Sequence, residues 1–250
     1  MKENIIHIGT SGWSYKHWRG TFYPLDIKIK DHFLYYTKMF NSVEINNTFY
    51  GVPSDETFLK WKKQVPENFM YVIKANRFIT HLKKLHDPLE SLPSFLGKTA
   101  FLSTKLGAVL FQLPPSLKID LTLLETFVAA LPSQNRYVFE FRNTTWYEPE
   151  VYELLKKYNI AFCIYELAGH ISPTITTADF VYLRLHGPGA GKYQGSYSDE
   201  ALMEWAVQCK KWLETKDVFV YFDNDEKGYA PMNALHLLHF IKNLNTEKQA

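Results

Sequence analysis

The segment Phe180–His186 reads Phe-Val-Tyr-Leu-Arg-Leu-His and alternates apolar side chains with polar ones. Neighbouring side chains of a strand point to opposite faces, so Val181 and Leu183 share one face while Arg184 and His186 share the other. A charge beneath a layer of helices would be buried without a partner, which costs several kcal/mol. The segment therefore predicts a strand whose apolar face lies under helices and whose charged face points into a barrel.

Seven further runs of this kind recur, and most are separated by stretches with helical spacing. With the first, the eight runs are Ile5–Thr10, Ser42–Thr48, Met70–Asn76, Leu106–Leu113, Tyr137–Arg142, Ile160–Tyr165, Phe180–His186 and Val218–Asp223. Eight strand–helix units predict an α/β fold, a single (β/α)8 TIM-type barrel, and the 250 residues of the chain match the size of one such barrel. We therefore expect one domain over residues 1–250.

The stretches between these runs predict most of the helices. Helical spacing favours helices over Asp31–Phe40, Ser54–Gln64, Asp120–Leu131, Pro149–Tyr158, Ser198–Glu214 and Pro231–Leu244. Asp31 is a candidate cap of the first of these. The connection Arg77–Lys105 is long enough to hold an extra loop before its helix. The segment Leu167–Asp179 is rich in Gly, Pro and Thr, so the sixth helix is expected to be missing or short.

Composition limits the classes of protein that the chain could represent. The hydrophobic content of 46% is typical of a globular protein, and the net charge of +2 is too small to indicate nucleic-acid binding by bulk charge. Cys163 and Cys209 are isolated thiols, which favours a reducing compartment. The start of the chain runs into a strand with no long apolar segment, and no run approaches a membrane span. These features predict a cytoplasmic protein without membrane contact.

The alternation of side chains gathers polar groups near the carboxyl ends of the strands, where barrels of this type keep their chemistry. We expect one face of each strand to contribute a charged or amide group to a common opening. The predicted set consists of Glu44, Lys74, Gln112, Glu140, Arg142, Arg184 and His186, with Asp223 and Asn224 beside them.

A series of motifs runs along almost the whole chain in a fixed order. They are Gly9–Tyr15, Phe22–Pro24, Val43–Tyr50, Phe111–Pro115, Glu140–Arg142, Tyr182–Gly187, Tyr221–Asn224, Gly228, Ala230 and Asn233–Ala234. Together they resemble the YecE-like family, catalogued as domain of unknown function seventy-two. The resemblance implies a TIM-type barrel and no particular reaction, because the family is largely uncharacterised. The chain departs from the family at Tyr165-Glu166, where relatives are expected to carry an Asp.

Three carboxylates among the expected set are candidates for proton transfer. Glu44, Glu140 and Asp223 could act as general acid and base, and His186 could assist them as an acid–base group near neutral pH. The alternative is a buried network of ion pairs with the neighbouring cations that fixes the register of the strands. Position at strand ends favours the catalytic interpretation, although structural ion networks also perturb carboxylates.

The cations of the set are candidates for binding an anion. Arg142 and Arg184 each present a planar fork for two oxygens, and Lys74 supplies a mobile point charge, so the three could grip a phosphate or carboxylate. Each could equally neutralise one glutamate. The glycine-rich segment His186–Gly191 would let the backbone approach a ligand, and a mobile loop would have the same composition.

A metal site is a further hypothesis. Glu44, Glu140, His186 and Asp223 are oxygen and nitrogen ligands that suit Mg²⁺, Mn²⁺ or Zn²⁺. No short ligand spacing supports such a site, and the neighbouring cations oppose it. The sequence therefore predicts no cofactor, with a divalent metal as the alternative.

Aromatic residues occur on or beside several strand-to-helix connections. Rings there could stack on a sugar or a base, or could plug the barrel mouth and anchor the loops. The rings are Trp13, Tyr15, Trp18, Phe22, Tyr23, Phe49, Tyr50 and Trp146. Interleaved polar residues favour a hydroxyl-bearing ligand over a fatty one; they are Ser11, Ser14, Asn46, Asn47 and Thr48.

These features predict an enzyme that uses acid–base chemistry on a small polar anionic substrate, a sugar phosphate or nucleotide, at the carboxyl face of the barrel. The predicted catalytic residues are Glu44, Glu140, His186 and Asp223. The predicted substrate-binding residues are Trp13, Tyr15, Asn46, Lys74, Gln112, Arg142, Trp146, Arg184 and Asn224. One alternative is a nucleic-acid-processing enzyme that holds a flipped base and binds the nucleic-acid backbone with the basic segment Arg77–Lys84. The other is a ligand-binding module without catalysis.

Overall fold

The computed structural model describes residues 3–246, and the side chains of residues 3–244. The described residues fall into two compact units. The first unit comprises residues 3–43, 164–172 and 179–246. The second unit comprises residues 44–163 and 173–178.

The strands lie where the eight apolar runs predict them. They are β1 (Ile6–Thr10), β2 (Ser42–Ile45), β3 (Met70–Lys74), β4 (Leu106–Leu113), β5 (Tyr137–Phe141), β6 (Ala161–Leu167), β7 (His170–Ile171), β8 (Phe180–Leu185) and β9 (Asp217–Phe222). Only the two-residue β7 falls outside the predicted runs, and it pairs antiparallel with β6.

The order of the strands is β1-β9-β8-β6-β5-β4-β3-β2. The pairs β1–β9 and β8–β9 are parallel in the first unit, and β3–β4 and β4–β5 are parallel in the second. Parallel strands joined by helices in this order make the α/β fold of the (β/α)8 TIM type, as the sequence predicts.

Seven α-helices alternate with these strands in the described part of the chain. They are α1 (His32–Met39), α2 (Asp55–Lys63), α3 (Pro88–Thr99), α4 (Leu121–Ala129), α5 (Pro149–Lys157), α6 (Asp199–Leu213) and α7 (Tyr229–Thr246). The segment between β6 and β8 contains β7 and no helix, which confirms the expected loss there. The long connection after β3 holds a π-helical turn, Phe78–Leu82, ahead of α3.

Capping side chains fix some of these helix starts. Ser54 and Asp120 accept hydrogen bonds from the backbone N–H groups of Thr57 and Leu123, respectively. Asp31 occupies the N-cap position of α1, as predicted, but its side chain makes no capping hydrogen bond. Asp31 ends a preceding 3₁₀ turn with φ −100° and ψ −3°, whereas a capping residue normally has extended backbone.

The alternation of side chains is confirmed in β4 and β5 of the second unit. Phe111 and Phe139 stack with centroids 5.2 Å apart, and Phe127 of α4 meets both rings. Helix α4 therefore covers the aromatic face of these strands. Glu140 and Gln112 are partners in the strand register and lie on the opposite face.

The corresponding face of the first unit is filled by rings below its polar groups. His7 stacks on Phe219 with centroids 4.5 Å apart, and Tyr182 lies 5.3 Å from Tyr221. The backbone of β1 lies close to the backbone of Ser42, since a Cβ on Gly9 would lie 2.1 Å from the carbonyl oxygen of Ser42. Such rings form layers beneath the carboxyl ends of the strands.

Candidate functional site

The carboxyl ends of β8 and β9 hold the densest group of predicted site residues in the first unit. Arg184 is the register partner of Tyr221, and Leu185 is the partner of Phe222. The backbone N–H of Asp223 then donates to the carbonyl of Leu185, at 2.9 Å. Parallel pairing therefore carries Asp223 beside the end of β8, where Arg184 and the next polar residue lie.

His186 lies between Asp223 and Arg184. Its Nδ1 is 3.0 Å from Oδ2 of Asp223, and its Nε2 is 3.3 Å from Nη1 of Arg184. A guanidinium can only donate hydrogen bonds. We infer that Nε2 accepts a hydrogen bond from Arg184. Nδ1 then carries the proton of the imidazole and donates a hydrogen bond to Oδ2 of Asp223.

Arg184 also connects the pair to the end of β1. Its Nη2 lies 3.4 Å from Oδ2 of Asp223 and 3.5 Å from Oγ of Ser11. Arg184 and His186 are at most 1% exposed, whereas 16% of the Asp223 side chain is accessible. The carboxylate is thus the part of this cluster that meets solvent.

Two aromatic rings flank the imidazole of His186. The ring of Tyr193 is 5.5 Å away and nearly perpendicular to it, and Tyr165 lies 6.3 Å away. Tyr193 is 43% exposed, so it forms the outer side of the cluster. The backbone N–H of His186 donates to the carbonyl of Glu166, which fixes the end of β8 against β6 within this unit.

The loop after His186 is held by Tyr197. Its hydroxyl accepts from the backbone N–H of Gly187 at 3.0 Å and hydrogen-bonds to the Glu166 carboxylate. Burial raises the pKa of Glu166, while hydrogen bonds from Tyr197 and Trp205 oppose this shift. Glu166 therefore stabilises the loop through Tyr197, which binds the backbone of Gly187 directly after His186.

The glycines of this loop serve its own packing. Gly187 has φ +104°, and a Cβ on it would lie 2.2 Å from the carbonyl oxygen of Gln194. Gly189 donates its N–H to the same oxygen at 3.1 Å. Gly187 and Gly189 therefore let the backbone of the loop approach the returning segment at Gln194, and their predicted approach to a ligand stays a prediction.

Asn224 and the two rings after β1 are engaged in local packing. Asn224 is fully buried, and its Nδ2 donates to the carbonyl of Gly195 and to Oδ1 of Asn233. Trp13 packs on Phe33, and the hydroxyl of Tyr15 donates to the carbonyl of Ser11. Their predicted roles in substrate binding stay predictions.

In the second unit, Glu140 and Arg142 form a buried pair. Nε of Arg142 donates to Oε1 of Glu140, and Sγ of Cys163 lies 3.8 Å from Oε2. Glu140 is fully buried, and 9% of the Arg142 side chain is exposed. Gln112 is the register partner of Glu140 on β4 and is half-buried.

The remaining predicted residues of the second unit lie at other strand ends. Glu44 is fully buried in β2, and Asn46, just after it, keeps a buried Oδ1 that has no hydrogen-bond partner among the described residues. Lys74 ends β3 with its Nζ 4.6 Å from the centroid of the Phe49 ring. Trp146 is fully buried, stacks on Phe141 and donates its indole N–H to the carbonyl of Leu117.

A family model described as "Protein of unknown function DUF72" matches residues 7–250. The chain belongs to the DUF72 family. A crystal structure of a DUF72 family protein from Thermotoga maritima MSB8 is 30% identical, with a TM-score of 0.83 over 97% of this chain and 100% of that one. One from Enterococcus faecalis V583 is 21% identical, with a TM-score of 0.83 over 95% and 96%. UPF0759 protein YunF of Bacillus subtilis (strain 168) is 27% identical over 95% of each chain.

This DUF72 chain has a second His–Asp pair that its sequence did not reveal. Nε2 of His17 lies 3.0 Å from Oδ2 of Asp225, and the indole N–H of the buried Trp18 donates to Oδ1. Burial raises the pKa of Asp225, and the negative charge of Asp223 adds to this, against the effects of Trp18 and His17. In the sequence, only the position of Asp225 two residues after Asp223 could have suggested that Asp225 belongs to a functional site. Nothing in the sequence indicated His17.

Two further features are absent from the described residues of this DUF72 protein. No group of three or more His, Cys, Asp or Glu side chains is arranged to hold a metal ion within residues 3–244. In the described part of the chain, none of the helices combines the length and the apolar character needed to cross a bilayer.

Proposed function

We propose that this DUF72 protein is an enzyme that carries out acid–base chemistry on a small polar anionic substrate, such as a sugar phosphate or nucleotide. The observation that carries the proposal is the position of His186 between a carboxylate and a guanidinium, with Nδ1 3.0 Å from Asp223 and Nε2 3.3 Å from Arg184. A carboxylate on one nitrogen orients an imidazole and stabilises its charged form, which suits the other nitrogen for proton transfer.

The arrangement links anion binding to the availability of the base. Nε2 of His186 accepts from Arg184, so its lone pair is engaged while the guanidinium faces it. A substrate phosphate or carboxylate offers Arg184 two oxygens and a stronger, charge-assisted interaction. Movement of the guanidinium toward the anion would leave Nε2 ready to take a proton, while Asp223 keeps the ring oriented.

A proton transfer of this kind serves hydrolysis, isomerisation or elimination. In the second unit, Glu44 and Glu140 are further candidates for proton transfer, and Arg142 and Lys74 for anion binding. The buried, unpartnered Oδ1 of Asn46 supports a hydroxyl-bearing ligand, since a hydroxyl would supply the missing donor. The proposal requires no cofactor, and a divalent metal held by the carboxylates is the alternative.

The cytoplasm is the proposed location. Cys163 and Cys209 are both buried, and neither forms a disulfide. Thiols that stay reduced suit the reducing cytoplasm.

The test starts with a thermal-shift screen against phosphosugars and nucleotides, because a ligand at 100 times its Kd stabilises the folded state by about 2.7 kcal/mol. With a ligand in hand, His186→Gln is expected to keep binding and to lose turnover by about 100-fold or more. Arg184→Lys is expected to weaken binding, because the bidentate fork is lost.

His236→Gln is the matched control, because His236 forms a surface pair with Asp199 in the same unit, with Nδ1 and Oδ1 3.5 Å apart. Its turnover should equal that of the unmodified protein. Full turnover in folded His186→Gln would refute the proposal. If His186→Gln binds the ligand as tightly as the unmodified protein, and neither protein turns the ligand over, the result would favour the non-catalytic binding module.

The nucleic-acid alternative depends on the basic segment after β3. Lys83 of that segment lies 3.0 Å from carboxylate oxygens of both Asp87 and Glu90, which offset part of its charge. A nucleic-acid enzyme would bind DNA or RNA with a steep dependence on salt, because each phosphate contact releases a counterion. Binding that does not change with salt supports the small substrate.

A further inference from the structure

Two basic side chains meet on one aromatic ring at the carboxyl end of β3 in the second unit. Nζ of Lys74 lies 4.6 Å from the centroid of the Phe49 ring. The imidazole of His81 lies nearly perpendicular to the same ring, with centroids 4.9 Å apart. Phe49 thereby holds an ammonium and an imidazole close together, and its π face stabilises the ammonium.

The π-helical turn Phe78–Leu82 sets the orientation of His81. Arg77 immediately precedes this turn and is exposed, whereas Thr80 is fully buried inside it. Oγ1 of Thr80 lies 2.9 Å from Nδ1 of His81, so Nε2 is the nitrogen that can meet a ligand. Single π-helical turns are rare and occur frequently at functional sites.

The electrostatic environment of His81 is positive. Its pKa lies below the ordinary value because burial disfavours the charged form, and because Lys74 and Arg77 repel it. The two carboxylates of the segment 77–90 belong to Asp87 and Glu90, and both bind Lys83. The acidic groups nearest in sequence are therefore directed to a different cation.

We propose that Lys74, Arg77 and His81 form a binding site for a dianionic phosphate group, supported by Phe49. The guanidinium of Arg77 offers a fork for two phosphate oxygens, Lys74 supplies a point charge, and Nε2 of His81 donates to a third oxygen when protonated. The site deepens the proposed function, on which it rests, because Lys74 is already one of the candidates for anion binding there and the site adds Arg77 and His81 to it.

The probe is inorganic phosphate, and the readout is the NMR titration of the His81 imidazole in the full-length protein. Phosphate is expected to raise the pKa of His81, because its charge offsets Lys74 and Arg77 and favours the imidazolium. By linkage, the anion binds more tightly to the protonated ring. Sulfate keeps both negative charges in the pH range in which phosphate itself takes up a proton. A parallel titration with sulfate therefore distinguishes protonation of His81 from protonation of the added anion.

Arg77→Gln tests the site without disturbing the core, because Arg77 is exposed. Phosphate affinity is expected to fall about tenfold, the effect of losing one charge-assisted contact. Lys84→Gln removes one exposed charge from the same segment and should leave the affinity unchanged. The proposal is wrong if phosphate leaves the His81 titration unaltered, or if both variants bind phosphate equally. Loss of turnover in His186→Gln tests the proposed enzyme separately.

Discussion

The indole N–H of Trp18 donates a hydrogen bond to Oδ1 of Asp225. The two residues are 207 positions apart in the sequence. Trp18 is fully buried, so the bond ties the segment after β1 to the segment after β9 inside the first unit. It also holds the carboxylate of Asp225, which interacts electrostatically with the carboxylate of Asp223 in the candidate site.

Asp225 should make the stability of the protein depend on pH. Its pKa is raised in the folded protein, so the folded state binds the proton more tightly than the unfolded chain. The free energy of unfolding therefore falls as the pH rises from the ordinary pKa of an aspartate through the raised value. Asp225→Asn keeps an acceptor for Trp18 and should flatten this part of the profile.

Urea denaturation at a series of pH values measures the effect of Asp225→Asn. Asp26→Asn changes an exposed carboxylate of the same unit and should follow the profile of the unmodified protein. Parallel profiles for the unmodified protein and Asp225→Asn would contradict the prediction.

Asp223→Ala should destabilise the protein because it removes a carboxylate that compensates the buried charge of Arg184. Arg184 is 1% exposed and loses its contact with the carboxylate of Asp223. Removal of one partner of a buried pair costs about 3–5 kcal/mol, and we expect about 2–3 kcal/mol here. The discount reflects the 16% of the Asp223 side chain that is exposed to solvent.

A double-mutant cycle with Arg184→Met isolates the interaction with Asp223. The double variant should lose less free energy of unfolding than the sum of the single variants. Strictly additive losses in urea denaturation would show that the two side chains do not interact.

Gly187→Ala should strain the loop beyond β8. The residue has φ +104°, and the added Cβ would lie 2.2 Å from the backbone oxygen of Gln194. We expect a loss of about 1–3 kcal/mol in the free energy of unfolding. Gly97→Ala is the matched control in α3, where a Cβ has nothing within 4 Å, and it should stabilise by up to about 1 kcal/mol. Equal thermal denaturation midpoints for the two variants would disprove the role of Gly187.

Trp146→Phe should affect stability and leave ligand binding unchanged. Trp146 is fully buried, and its indole N–H satisfies the carbonyl of Leu117 at 2.7 Å. The substitution removes this bond and should cost about 1–2 kcal/mol in the free energy of unfolding. A reduced affinity for the ligand found by thermal shift, at unchanged stability, would instead support the predicted contact with substrate.

Much of the fold was predictable because its signals are local. The runs such as Phe180–His186 alternate with a period of two, which marks a strand whatever it packs against. The loss of the sixth helix followed from the Gly, Pro and Thr of Leu167–Asp179. The N-cap position of Asp31 was predictable too, but its missing capping hydrogen bond was not, because a preceding 3₁₀ turn changes the backbone of that residue.

The candidate site was predictable only where strand parity acts. Parity put Arg184, His186 and Asp223 on one side of neighbouring strands, and the parallel register brings them into contact. Parity gave no information on Trp146, because a residue in a short turn after a strand follows no alternation. The position of His81 was equally hidden, since a π-helical turn has no sequence period of its own.

The sequence by itself determined which segments become strands and helices and which of their residues are polar, because those properties depend on neighbours within a few positions. Tertiary structure alone decided that Trp18 meets Asp225 and that Tyr197 meets Glu166. These contacts join residues far apart in the chain, and their geometry follows from how loops pack on the strand ends. The protonation of Asp225, Glu166 and His81 depends on that packing, because burial and nearby charge set a pKa.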